Sequence, residues 1–69
     1  MIPTFFCTWS VLGKDGQPIT YVDKQSGKTK LKRYTAVYRD YTRNGALAQL
    51  RKDHEGEPLV KVNCEKVHA

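Results

Sequence analysis

A small α+β domain, with a mainly antiparallel sheet of three or four strands and one helix packed on one face, is what three observations predict. The chain has 69 residues, enough for one domain over 1–69 and no second core. Apolar and polar residues alternate near both ends, as in half-buried strands. Between them lies one run of helix formers with apolar residues on one face. A helix over the apolar side of such a sheet is the simplest cover, in the order ββαβ or βββαβ.

Thr4 to Leu12 is aromatic and β-branched, with Phe5, Cys7, Trp9 and Val11 on one alternating face and Phe6, Thr8, Ser10 and Leu12 on the other. Gly13-Lys14-Asp15-Gly16 has turn chemistry, and Ile19 to Val22 reads as a short strand before a second turn at Asp23–Gly27. Lys28 to Tyr41 is the longest extended stretch, with Tyr34, Ala36 and Tyr38 on one face and Leu31, Arg33, Thr35, Val37 and Arg39 on the other. Both faces are mixed, and a bulge could switch them partway.

Asn44-Gly45 has the composition of a hairpin turn, but the residues after it do not alternate. Ala46, Leu47 and Leu50 share a helical face, Thr42 or Asp40 can cap the start, and Gly56 with Pro58 closes the end. A helix from about Thr42 to His54 is expected. Leu59 to Val67 then alternates again, with Val60, Val62 and Cys64 on one side. The expected core is Phe5, Trp9, Val37, Leu47, Leu50, Val60 and Val62.

Hydrophobic residues make up 39% and charged residues 28%, which is ordinary for a folded chain. No stretch approaches the roughly 20 apolar residues of a membrane span, and Ile2–Cys7 lacks the basic flank of a signal peptide. A cytoplasmic protein without membrane contact is the expectation. Cys7 and Cys64 are accordingly expected as reduced, buried thiols. A zinc site from Cys7, Cys64, His54 and His68 lacks the paired short spacings of zinc fingers, so neither metal nor cofactor is expected.

Net charge is +5, and its distribution says more than its sum. The segment from Lys28 to Lys52 is +7, leaving −2 for the remainder, with Asp53, Glu55 and Glu57 clustered past the helix where the dipole disfavours them. Alternation places Lys28, Lys30 and Lys32 on one side, continued by Tyr34 and Tyr38 and supported by Arg33, Arg39 and Arg43. Cations beside aromatic rings suit nucleic acid, with ammonium groups meeting phosphates and rings stacking on bases. The same lysines would also protect an edge strand, and the tyrosines would also pack under the helix.

Catalytic chemistry is not expected. There is no Gly-rich phosphate loop or metal-ligating helix motif, and Ser10 and Ser26 have no histidine at a recognisable spacing.

The stretch Tyr38-Arg39-Asp40-x-Thr42-x-x-Gly45-Ala46-x-x-Gln49-x-x-x-Asp53, with Val60-Lys61-Val62 after it, resembles the strand–helix–strand part of the LX family of large-subunit ribosomal proteins. The resemblance covers about half the chain and implies ββαβ units that contact ribosomal RNA. That family's basic His/Arg-rich segment after the helix is replaced here by His54-Glu55-Gly56-Glu57-Pro58, so that part of the RNA contact does not transfer. The tail Val60–Lys66 is similar to the ends of small prophage proteins, which implies docking on a host protein. The two functions to weigh are therefore a non-enzymatic RNA- or DNA-binding module and a phage-type inhibitor or adaptor that blocks a host protein.

Overall fold

The computed structural model describes residues 1–68. Its elements are β1 (Thr4–Val11), β2 (Thr20–Val22), β3 (Thr29–Leu31), β4 (Tyr34–Arg39), α1 (Arg43–Asp53) and β5 (Leu59–Lys66). The main sheet is antiparallel with order β4-β1-β5, and β2 and β3 form a separate two-stranded ribbon. The α+β class and the single helix agree with the sequence. The sheet has three strands, within the expected three or four, and β2 and β3 stand apart from it as the ribbon.

β1 is central because it is the most apolar strand and is flanked on both sides. Phe5, Cys7 and Trp9 face the helix, where Ala46 and Leu50 close over them together with Cys64. Tyr34, Ala36, Tyr38, Leu47 and Val62 pack around that cluster. Trp9 meets Tyr34 with ring centroids 6.1 Å apart and His54 with centroids 4.8 Å apart. The expected core is corrected at Val60, which the β5 bulge sets opposite Ser10 on the other face from Val62 and Cys64 and outside the buried cluster, and at Val37. Val37 is 60% exposed, since it lies on the sheet face that no helix covers.

The expectation of free thiols is also corrected. Cys7 and Cys64 are directly opposed across β1 and β5 and joined by a disulfide, and both are buried. Their distance in sequence hid a contact that only the strand register creates.

Lys28–Tyr41 is not one strand but two, parted at Lys32-Arg33. The break has a physical cause in Ser10, which is fully buried yet donates to the Lys32 carbonyl at 3.0 Å and accepts from Arg33 Nη1 at 3.1 Å. Arg33 Nη2 further donates to Thr8 Oγ1 at 2.8 Å and the Lys61 carbonyl at 3.1 Å. One side chain thus ties the ribbon to β1 and β5. Lys61 has φ 53°, and the β1–β5 register slips between Thr8 and Ser10, so Lys61 and Val62 together oppose Trp9 as a bulge.

Asn44-Gly45 lies in the first turn of α1 rather than at a hairpin tip. The Thr42 hydroxyl caps the helix by accepting from Gly45 N at 3.0 Å. Gln49 Nε2 donates to the Arg39 carbonyl at 2.9 Å, while Arg43 Nε donates to the Cys64 carbonyl at 2.9 Å. The helix therefore fastens to both outer strands. The molecule is elongated and thin, 44 × 29 × 13 Å, with one sheet face under the helix and the other covered at its Ser10 end by Lys32 and Arg33 and open around Phe6.

Candidate functional site

The eight residues singled out in the sequence fall in three places. Lys28, Lys30 and Lys32 belong to the β2–β3 ribbon, Tyr34 and Tyr38 lie on the helix-covered side, and Arg33, Arg39 and Arg43 sit at the junctions and edge of the sheet. They do not form one surface.

Tyr34 and Tyr38 are half-buried against the core. Tyr38 donates to Asp53 Oδ2 at 2.9 Å, and burial, reinforced by that hydrogen bond and the Asp53 charge, pushes its phenol above the ordinary range. Tyr34 keeps one link to the basic residues, since Lys32 Nζ stands 5.8 Å from its ring centroid. Arg43 is spent on β5, bonding the Cys64 carbonyl and, at 3.3 Å, Asn63 Oδ1. The acidic cluster gains a partial account: Asp53 holds Tyr38, and Glu57 meets His54 Nδ1 at 2.7 Å.

The ribbon is the first surface. Its turn is built locally, with Asp23 Oδ1 accepting from Gln25 N at 2.9 Å and Gly27 at φ 72° letting the chain reverse. Lys30 pairs in register with exposed Tyr21, so those two share a face. Lys30 Nζ also meets Asp23 Oδ2 at 2.7 Å, which together with the Gln25 N–H holds the Asp23 carboxyl below its usual range. Lys24, Lys28 and Lys32 are exposed and form no ion pair among the described residues. Tyr21, Leu31, Lys32 and Arg33 line a shallow hollow where the ribbon meets the sheet. Lys24 and Tyr21 were missed in the sequence because the short strand before the turn had no assigned partner; pairing it with Lys28–Lys32 across Asp23–Gly27 would have found both.

The open sheet face is the second surface. Register sets three rows across it: Thr35, Thr8 and Asn63; then Val37, Phe6 and Glu65; then Arg39 and Thr4. Phe6 is 44% exposed at the centre of this face, beside exposed Val37. Alternation had already separated Phe6 from Phe5, Cys7 and Trp9. What it lacked was the number of layers covering the sheet.

Among the described residues no group of three or more His, Cys, Asp or Glu side chains is arranged to hold a metal ion. No helix there is long and apolar enough to cross a membrane. No protein-family model, curated protein or solved structure matches the chain. The residues that resemble the LX family have structural work in this fold: Tyr38 with Asp53, Asp40 with Gln49, Thr42 with Gly45, and Ala46 in the core. Their spacing follows from joining a strand to a helix and is not itself a mark of RNA contact.

Proposed function

We propose that this protein is a non-enzymatic module that binds nucleic acid, RNA before DNA, through the cationic β2–β3 ribbon. The observation that carries the reading is the ribbon's unneutralised charge: Lys24, Lys28 and Lys32 project from a thin two-stranded element whose single internal ion pair is Lys30 with Asp23. Such cations release counterions from a phosphate backbone when they bind it. Tyr21 beside Lys30 and the ring of Tyr34 under Lys32 supply apolar surface next to the charge. Arg39 and Arg33 extend the positive region toward the open face, while Arg43 serves mainly to hold α1 on β5.

The proposed cytoplasmic location and the Cys7–Cys64 bridge pull in opposite directions, because disulfides persist mainly in oxidising compartments.

Charge reversal of Lys24, Lys28 and Lys32 to Glu, which leaves the Lys30–Asp23 pair in place, tests the reading by anisotropy with labelled RNA and DNA. Binding at moderate salt should be lost while the fold persists. Unchanged binding would contradict the assignment to the ribbon, and no binding by the unmodified protein at low salt would direct attention to a protein partner.

A further inference from the structure

We propose that the open face of the β4-β1-β5 sheet is a platform for unpaired bases, with Phe6 as its stacking residue, so that the ligand is single-stranded. The inference rests on the nucleic-acid reading above and assigns it a second contact surface. A phenylalanine on the central strand is the residue most expected to be covered, yet Phe6 is 44% exposed and α1 lies wholly on the other side. Its ring is reachable from above, as stacking requires.

The surroundings select the occupant. Apolar exposure on this face is Phe6 and Val37 at the centre and Val67 beside Thr4 at one end, interleaved with Thr4, Thr8, Thr35, Asn63 and Glu65, which is more polar than the continuous apolar core of a stable protein interface. Thr8 Oγ1 is engaged by Arg33 and the Asn63 amide by Arg43 and Glu65, so the Thr4 and Thr35 hydroxyls are the groups left to meet base edges and sugar hydroxyls. Cations mark both ends. Arg39 stands in the Thr4 row, and Arg33 reaches Thr8 while bonding only neutral oxygens, so its charge is not cancelled. Thr4 and Thr8 are separated by about 13 Å along an extended strand, which leaves space for a stacked base between two phosphate contacts.

Glu65 is directly opposite Phe6 on the β5 side and is the one anion in these rows. It repels phosphate there, which directs the backbone toward Arg39 and β4. Its Oε1 accepts from Asn63 Nδ2 at 3.4 Å, and Oε2 is left as an acceptor for the exocyclic amino group of a base lying on Phe6, as acidic side chains do for cytosine. Bases with such a group should therefore be preferred over uracil.

The test measures anisotropy of labelled oligo(C), oligo(U) and a duplex of the same length against the unmodified protein, Phe6→Ala, Phe6→Tyr and Glu65→Gln. Because Phe6 is exposed, the variants should fold, which Trp9 emission verifies. Phe6→Ala should weaken single-strand binding by about tenfold or more while leaving duplex binding unchanged. Phe6→Tyr should retain it, and Glu65→Gln should narrow the margin between oligo(C) and oligo(U). If Phe6→Ala binds single strands like the unmodified protein while the charge-reversed ribbon does not bind, the platform is wrong and the nucleic-acid reading stands. No binding to any oligonucleotide at low salt overturns both and leaves the face to a protein partner.

Discussion

The Asp40 carboxyl group occupies the space that a Cβ at residue 45 would need, so any side chain there must displace it. Asp40 is held in that position from two sides, accepting from Thr42 N at 3.3 Å and from Gln49 Nε2 at 3.0 Å. Gly45→Ala would expel the carboxyl group, and the lost bonds should outweigh the better helix propensity of alanine, for a net cost of about 1–2 kcal/mol. In an Asp40→Ala background the same change should be neutral or stabilising. Chemical denaturation followed by the single tryptophan completes this double-mutant cycle. Additive effects of the two substitutions would sink the account of the junction.

The disulfide closes a sequence separation of 57 residues. Constraining a loop of that size in the unfolded chain is worth about 4 kcal/mol, a large share of what so small a domain can have. Unfolding with and without reductant should differ accordingly, and mass under non-reducing conditions should be lower by two hydrogen atoms than under reducing ones. A difference in stability below about 1 kcal/mol would show that the strands hold together without the bridge.

Leu50 and Val37 should respond oppositely to truncation. Leu50 is fully buried, so Leu50→Ala should cost about 2–5 kcal/mol. Val37 is 60% exposed on the open face, and Val37→Ala should stay within about 0.5 kcal/mol. Thermal melts of the pair distinguish the covered face of the sheet from the open one.

Alkaline pH should weaken the fold through Tyr38. Its phenol is raised in the folded protein by burial and then by Asp53, so the folded state keeps a proton that the unfolded chain releases. The contribution is therefore complete below the unfolded pKa of about 10 and is lost as pH rises through the higher folded value. Stability measured between neutral pH and that range should fall less steeply in Tyr38→Phe. Parallel curves for the two proteins would remove Tyr38 from the explanation.

The helix and the two long strands were legible because their periods of 3.6 and 2 are written in local spacing, and Thr42 capping Gly45 is a local bond. What escaped was decided by distant partners. Arg33 breaks the long extended stretch through Ser10, 23 residues away, and no local pattern encodes that contact. Cys7 and Cys64 meet only because the register opposes them. Alternation placed Lys28, Lys30 and Lys32 on one side but not the ribbon that pairs them with Tyr21, while Tyr34 and Tyr38 share the helix face with Ala36, and on the other sheet face the exposed aromatic residue is Phe6. Period shows which residues share a face, whereas covering layers decide which face is wet.

The proposed attachment to phosphates is tested most directly by the salt dependence of RNA binding. With about four to six phosphates neutralised by the ribbon and the neighbouring arginines, log affinity against log salt should fall with a slope of about −3 to −5. Reversing Lys24, Lys28 and Lys32 should abolish that binding at moderate salt. A slope near zero, or no binding at low salt where phosphate attraction is strongest, would contradict the proposal.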